Sequence, residues 1–426
     1  MDERTEQELL PGVRLCCIQT DQFCTATFSM RILRELQQED AAKNALMMNV
    51  LNRGCRSFPN MEALQAELDS AYGATLEPNL WQYGETVAVG FDAAFPDDAM
   101  LPETGNLERV IRLIASLVLD PVTRGGLLLP DYVSEERKQL QQRILSAKND
   151  KRSYALQRAR RLLCPDEAYG VYPLGTVEEA GKITHLALTR YYQAALAESQ
   201  IRLFYCGSMS PEAVFRMAQR AFCTLSAKTE RPMPHSDPAT KAGEFRQLTE
   251  YMNVEQGRLV LCFRILGMLT RNDQPALAVL NALFGGGPAS RLFREVREKQ
   301  SLCYYIGSGI DRFKQVMTVN AGISFEKREQ AEREILRQLS ALAEGNFSPE
   351  ELETARRCAA ADFRIMSDDG LSLSSFWLGQ ELMSSDANPK QLAALSTEVK
   401  REEIQELAAR IRPELSYFLR AEEAEQ

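Results

Sequence analysis

Residues 284–308 read FGGGPASRLFREVREKQSLCYYIGS and decide how the chain folds. Three glycines end an apolar helical run, and an amphipathic helix is predicted over residues 290–299, with apolar and charged side chains on different sides. After Ser301, residue types alternate along a predicted strand that carries Tyr304. Arg291 is therefore expected just inside a helix start, beside the glycines. Glycines let another backbone approach closely, and a guanidinium and a phenol can both donate to a carbonyl oxygen.

The stretch resembles the C-terminal-domain signature of the M16 family of peptidases, the insulinase-like and pitrilysin-like enzymes. The shared pattern is a glycine-rich edge, then SRL, a helix that ends in a charged run, and a Leu-x-Tyr strand. In that family, the arginine that matches Arg291 and the tyrosine that matches Tyr304 hold the substrate backbone next to a zinc ion. The resemblance therefore implies a substrate-binding site made of Gly285, Gly286, Gly287, Arg291 and Tyr304.

The glycine run has two other interpretations. Glycines after a helix often form only a C-cap and a turn. A phosphate-binding loop is disfavoured, because GGGPASR lacks the Lys-Ser/Thr pair of that motif.

The bulk composition limits the classes of protein that the chain can belong to. A chain of 426 residues is too long for one ordinary core and suits two or three domains. The net charge of −9 argues against a nucleic-acid surface, which needs a basic patch. No apolar run is long enough to predict a membrane span, and the acidic start MDERTEQELL does not resemble a secretory signal. We therefore expect a cytoplasmic protein without nucleic-acid or membrane partners.

Cysteine and histidine usage also narrows the chemistry. The ten cysteines are scattered without a C-x-x-C pair, which favours free thiols in a reducing cytosol. The two histidines, His185 and His235, are far apart in sequence, so a mainly imidazole metal site within the chain is disfavoured. The same scarcity disfavours a serine or cysteine hydrolase, which needs a histidine near its nucleophile.

The chain reads as two similar halves. Each half predicts strands, helices, strands and helices in that order, and aligning Asp150 with Asp369 at the ends of two similar helical segments gives an offset of 219 residues. Residues 226–244 have no apolar period and are rich in Pro, Lys, Ser and Thr, which indicates a linker. We predict an α+β fold with domains at 1–225 and 245–426, each a mostly antiparallel sheet covered by helices on one face.

The resemblance implies the same duplication, of the M16/LuxS-metallohydrolase type with two homologous α/β-sandwich domains, but it also reveals a loss. Active members carry H-x-x-E-H on the first apolar helix, where two histidines bind zinc and the glutamate is the general base, and a later helix adds a glutamate ligand. When the family's Arg-Gly-Thr-like turn is placed on residues 53–55, the matching positions hold Ala45, Met48, Asn49 and Gln141 or Gln142. No histidine occurs in the first 184 residues, so a shifted alignment restores nothing. We expect no metal or other cofactor on this chain and zinc only in a partner; Ala45 and Met48 are expected to fill a core helix.

These features predict a catalytically incompetent M16-like subunit. The resemblance implies that such a chain binds peptide with its Arg/Tyr pair and completes the active site of a zinc-bearing M16 partner in a heterodimer. The alternative is a non-proteolytic scaffold or accessory protein of the same fold, which would hold a peptide or a protein without cleaving it. A homodimer is a substitute assembly, and an independent hydrolase of another class is disfavoured by the scarcity of histidine.

Overall fold

A computed structural model describes residues 3–225 and 233–422 of the chain. The strands are β1 (Glu3–Leu10), β2 (Val13–Gln19), β3 (Thr25–Glu35), β4 (Thr75–Tyr83), β5 (Thr86–Pro96), β6 (Thr123–Arg124), β7 (Leu127–Leu128), β8 (Gln200–Gly207), β9 (Arg246–Tyr251), β10 (Gly257–Ile265), β11 (Tyr305–Asp311), β12 (Val316–Ile323) and β13 (Ile411–Arg420). The α-helices are α1 (Gln38–Leu51), α2 (Met61–Ser70), α3 (Asn106–Leu119), α4 (Pro130–Ser146), α5 (Lys151–Leu163), α6 (Val177–Lys182), α7 (His185–Glu198), α8 (Pro211–Ala221), α9 (Gln274–Phe284), α10 (Arg328–Ala343), α11 (Pro349–Ile365), α12 (Gly370–Leu382), α13 (Pro389–Glu398) and α14 (Arg401–Ala409). A π-helix covers Leu292–Lys299, and short 3₁₀ turns cover Asp98–Met100, Ala168–Gly170, Arg271–Asp273 and Phe325–Lys327.

The first sheet has six strands in the order β1-β2-β8-β3-β5-β4, and every neighbouring pair is antiparallel except β2 with β8. Successive side chains of a strand point to opposite faces. On β3, Phe28, Met30 and Ile32 are fully buried in a core that they share with α1 and α3. Arg31 points to the other face, where it donates to Ser375 Oγ of α12 at 3.1 Å. Helices therefore cover both faces of this sheet, which corrects the prediction that only one face is covered.

The second sheet has five strands in the order β11-β12-β10-β13-β9, and only β13 with β9 is parallel. On β10, Leu261 and Phe263 face a core that contains residues of α9 and α11. Val260 faces the other way and clusters with Ala155 and Ala159 of α5. Both sheets are thus mostly antiparallel and covered by helices, which confirms the predicted α+β class.

The described residues group into two compact units, each of which contains one of these sheets. The six-stranded unit draws on Met1–Leu145, Val171–His235 and Asp368–Leu382, and the five-stranded unit draws on Ser146–Gly170, Ser236–Ser367 and Met383–Gln426. Helix α5 therefore belongs to the second unit and α12 to the first, although each lies in the opposite half of the sequence. The predicted domain boundaries stay a prediction.

Of the predicted linker, residues 226–232 lie outside the described residues, and residues 233–244 form neither helix nor strand. Among the helices of the described ranges, none combines the length and the apolar character that crossing a bilayer demands.

Two local predictions around the opening stretch need correction. The helix predicted over residues 290–299 is a π-helix. The sequence could not distinguish the two types, because over so short a segment the side-chain spacing of an α-helix, with i→i+4 hydrogen bonds, resembles that of a π-helix, with i→i+5 hydrogen bonds. The strand predicted to begin directly after Ser301 and to carry Tyr304 begins only at Tyr305. Tyr304 therefore lies in the turn between the π-helix and β11.

Candidate functional site

The three glycines form the end of α9 and a contact with β11. The amides of Gly285 and Gly286 both donate to the carbonyl oxygen of Asn281, at 2.9 and 2.7 Å, which satisfies the helix end. The carbonyl of Gly285 accepts from the amide of Ser308 at 2.9 Å, and a Cβ on Gly285 would lie 2.6 Å from Ser308 Oγ. A Cβ on Gly287 would meet no atom within 4 Å. Gly285 is therefore required by internal packing, whereas Gly287 has open space beside it.

Arg291 is held by groups of its own unit. Its Nε donates to Gln338 Oε1 at 2.9 Å, and one terminal nitrogen donates to the carbonyl oxygen of Asn346 at 2.9 Å. The same nitrogen lies 3.3 Å from Glu351, and the side chain is only 13% exposed. Arg291 lines a cleft of about 520 Å³ together with Glu351. These contacts join the start of the π-helix to α10 and α11.

Tyr304 lines a different cleft, of about 530 Å³, at the other end of the π-helix. The residue is 57% exposed, so its phenol is open to solvent. Its amide donates to the carbonyl oxygen of Gly322 at 2.8 Å, which fixes the turn against β12. Arg291 and Tyr304 thus lie on separate clefts, and their predicted joint role in holding a substrate stays a prediction.

Arg297 is the arginine that shares the cleft of Tyr304, and reasoning from the sequence missed it. Its guanidinium lies over the ring of Phe293, with Cζ 4.5 Å from the ring centroid. Lys327 lines the same cleft, and its Nζ donates to the carbonyl oxygen of Ser301 at 2.8 Å. The signal that could have found Arg297 is its position in the last turn of the helix that leads into Tyr304.

The cleft of Arg297, Tyr304 and Lys327, hereafter the donor cleft, has a net positive charge, because these two cations outnumber the one carboxylate in its lining, that of Glu298. Burial raises the pKa of the Cys303 thiol to about 11, against the opposing effect of the charges on Arg297 and Lys327. A phenol, a guanidinium and an ammonium can all donate hydrogen bonds, and neither the guanidinium nor the ammonium can accept one. The donor cleft is therefore suited to a carbonyl oxygen or a carboxylate.

Helix α1 carries three of the positions that match the zinc motif. Ala45 and Met48 are buried in the core beneath the six-stranded sheet. Asn49 donates from its side-chain amide to the carbonyl oxygen of Ala45 at 3.0 Å. Alanine and methionine offer no hard ligand for zinc, and a neutral side-chain amide is a poor one.

The fourth position is equally unsuited to zinc. Gln141 lies on α4 and donates to the carbonyl oxygen of Val177 at 3.1 Å, which joins α4 to the start of α6. Nearby carboxylates of α4 are taken up by Arg53, whose terminal nitrogens lie 2.6 Å from Glu135 and 3.1 Å from Glu136. Throughout residues 3–225 and 233–422, no three side chains of His, Cys, Asp or Glu gather into a possible metal site. The residues at the motif positions do not fit a zinc ion.

Comparisons with known proteins agree with this arrangement. The family described as "Peptidase M16 inactive domain" matches residues 182–357. The "Probable inactive metalloprotease YmfF" of Bacillus subtilis is 29% identical over 416 residues, covering 97% of this chain and 96% of that protein. The crystal structure of a conserved protein from Enterococcus faecalis superposes with a TM-score of 0.88 at 24% identity, over 99% of this chain and 100% of that one. A peptidase M16 inactive domain from Pseudomonas fluorescens superposes with a TM-score of 0.78 at 14% identity, over the full length of both chains.

The chain is an inactive M16-like peptidase homologue, as the matching inactive-domain model and the probable inactive relative indicate. The positions that match the zinc motif hold alanine, methionine and side-chain amides.

Proposed function

We propose that this chain binds an extended peptide and completes the active site of a zinc-bearing M16 chain in a heterodimeric peptidase. The observation that carries the proposal is the donor cleft, with Arg297 and Tyr304 together on a chain that has lost its own zinc-binding residues. A chain without a metal-bound water cannot hydrolyse peptides by the family's route. It can still supply fixed donors to a peptide whose bond is cleaved by another chain's zinc.

The position of the donor cleft suits an extended peptide. The cleft is lined by residues of the turn that runs into β11, and β11 is the edge strand of its sheet. A peptide that adds to a sheet edge is held by backbone hydrogen bonds, and side chains or donors nearby then select and orient it. Removing one preorganised donor to an oxyanion typically lowers kcat by about 10²- to 10³-fold, so two such donors are a substantial contribution from a non-metal chain.

The test is reconstitution with a zinc-bearing M16 chain from the same organism. We expect cleavage of a fluorogenic peptide only in the mixture, and a stable one-to-one complex by light scattering. Tyr304→Phe and Arg297→Ala should each lower kcat by about 10²-fold without dissolving the complex. Arg333→Ala is the matched control, because this arginine lies on α10 with 75% of its side chain exposed.

Three outcomes would contradict the proposal. Unchanged turnover in both cleft variants would remove the catalytic contribution. A stable complex with an unrelated protein, and none with a zinc-bearing M16 chain, would favour the non-proteolytic scaffold. A homodimer that excludes the zinc-bearing chain would rule out completion in trans.

A further inference from the structure

Tyr305, the residue after Tyr304, lies between two arginines on the face of the five-stranded sheet that α5 covers in part. The Cζ atoms of Arg152 and Arg258 are 4.8 and 5.6 Å from the centroid of its ring. Arg152 extends from α5, and its Nε donates to Asn320 Oδ1 on β12 at 3.1 Å. Two guanidinium groups from different elements thus converge on one phenol ring.

Neither arginine of this pair makes a direct ion pair within the described residues. Among the described residues, neither Arg152 nor Arg258 has a carboxylate oxygen within 4.0 Å. The Nε of Arg258 is shielded from solvent and has no hydrogen-bond partner. The carboxylate of Asp150 acts electrostatically on Arg152 and Tyr305 from nearby, and it accepts hydrogen bonds from the first amides of α5. The two guanidinium groups thus face one nearby carboxylate and no direct ion pair, on a chain whose net charge is −9.

The sheet surface beside the arginines is nearly bare. Gly307 and Gly309 follow Tyr305 on the same face of β11, because side chains alternate along a strand, and they lie opposite Asn320 and Thr318 of β12. Asn320 and Thr318 remain half-buried, although the next residues across the sheet, on β10, are covered by α5. We call this uncovered part of the sheet face, formed by Gly307, Gly309, Asn320 and Thr318, the glycine strip.

The arrangement of ring and guanidinium depends on a glycine. Gly322 lies opposite both Tyr305 on β11 and Arg258 on β10. A Cβ at Gly322 would come within 2.4 Å of Tyr305 Cε1 and 2.9 Å of a terminal nitrogen of Arg258. The two side chains therefore lie directly on the backbone of β12, and only glycine permits it.

We propose that Arg152, Arg258 and Tyr305 form a subsite for an acidic side chain of an extended peptide that runs beside the edge strand β11, with that side chain reaching over the glycine strip. This inference rests on the proposed peptide-binding function and names the class of peptide. A guanidinium pairs with a carboxylate through two parallel hydrogen bonds, and such charge-assisted bonds are roughly twice as strong as neutral ones. The strip leaves room for that side chain, because Gly307 and Gly309 have no side chains of their own. The donor cleft, by contrast, would hold the backbone of the same peptide.

The test compares two short rhodamine-labelled peptides, one with alternating threonine and glutamate and one with glutamine in place of every glutamate. Fluorescence anisotropy with the full chain should give about tenfold tighter binding of the glutamate peptide, a preference that shrinks as salt is raised. Arg152→Gln should remove most of the preference, and Arg258→Lys, which keeps the charge, should retain part of it. Arg333→Gln should leave it unchanged, and the thermal midpoint of each variant checks that it folds.

Equal affinity of the two peptides for the unaltered chain would overturn the acidic subsite and leave the proposed peptide binding standing. So would a preference that survives in Arg152→Gln/Arg258→Gln. Failure of both peptides to bind would overturn the subsite and the proposed peptide binding together.

Discussion

Asp150 and Asp369 stand in equivalent positions at the starts of two helices. Asp150 Oδ1 accepts from the amide of Ser153 at 3.3 Å, and Asp369 Oδ2 accepts from the amide of Ser372 at 2.7 Å. Each aspartate therefore satisfies an amide in the first turn of its helix, α5 or α12. Both helices also belong to the compact unit of the opposite half of the sequence. The offset of 219 residues, derived from the sequence alone, thus relates two aspartates that cap equivalent helices. Each of these helices packs in the unit formed mainly by the other half of the sequence.

Replacing these caps should destabilise the chain modestly. Asp150→Ala and Asp369→Ala are each expected to lower the free energy of unfolding by about 1 kcal/mol, measured by urea denaturation at neutral pH. Asp368→Ala is the control, because this neighbouring aspartate is exposed and makes no cap. An equal loss in all three variants would contradict the capping role.

The contribution of Asp150 should depend on pH. Hydrogen bonds, first from the Ser153 side chain, lower the pKa of the Asp150 carboxyl in the folded chain. A lowered folded pKa means that the stabilisation is present above the ordinary pKa and is lost as the pH falls through the lowered value. The difference in the free energy of unfolding between the unaltered chain and Asp150→Ala should therefore become smaller in acid. A difference that stays constant across the pH range would contradict this pH dependence.

The duplication was predictable because it is carried by local signals. Helix starts such as Asp150 and Asp369 and the apolar spacing of strands such as β10 leave a pattern within a few residues. No such local pattern shows that α5 packs in the second unit and α12 in the first, because this depends on which face of each sheet the rest of the chain leaves open. The polar strand β1 was missed for a similar reason: its ladder with β2 is a tertiary contact, and its sequence has little strand propensity.

The glycine run gives a matched pair of substitutions. Gly285→Ala should lower the free energy of unfolding by about 1–3 kcal/mol, because its Cβ would lie 2.6 Å from Ser308 Oγ and the edge strand would have to shift. Gly287→Ala should have little effect, since no atom lies within 4 Å of the added carbon. Thermal unfolding of the two variants and the unaltered chain measures the loss of stability at each position. Similar losses at both positions would mean that the run is held by more than the contact with β11.

Thiol chemistry reports on the donor cleft. Cys24, Cys223 and Cys358 are exposed, whereas Cys303 is buried and has its pKa raised to about 11. Because the thiolate is the reactive form, iodoacetamide at mildly alkaline pH should label the three exposed cysteines first and leave Cys303 unmodified, as read by mass spectrometry of peptides.

A second measurement connects Cys303 to the charges around it. Arg297→Gln removes a positive charge that favours the thiolate, so the pKa of Cys303 should rise further and its labelling at strongly alkaline pH should slow. Arg333→Gln is the control for a general loss of charge. Faster labelling of Cys303 in Arg297→Gln would instead mean that the substitution opens the cleft.

The site was less predictable than the fold. The π-helix and its flanks carry Arg291, Arg294 and Arg297 within two turns, and a sequence pattern alone does not say which guanidinium points where. Arg291 is drawn into contacts with Gln338 and Glu351, which lie far along the chain and become neighbours only when α10 and α11 pack. Local spacing could not reveal those partners.

The two arginines at opposite ends of the π-helix should therefore respond oppositely in two assays. Arg291→Ala leaves the side-chain oxygen of Gln338, which is fully buried, without its donor, and removes one partner of Glu351, so it should lower the free energy of unfolding by about 1–3 kcal/mol. Arg297→Ala removes a half-buried side chain from the donor cleft and should cost little stability but lower turnover in the reconstituted pair. Urea denaturation and peptide cleavage, measured on both variants, separate the roles. If Arg291→Ala kept full stability and alone abolished cleavage, the guanidinium that serves the substrate would be the one at the helix start, as the resemblance to the family first implied.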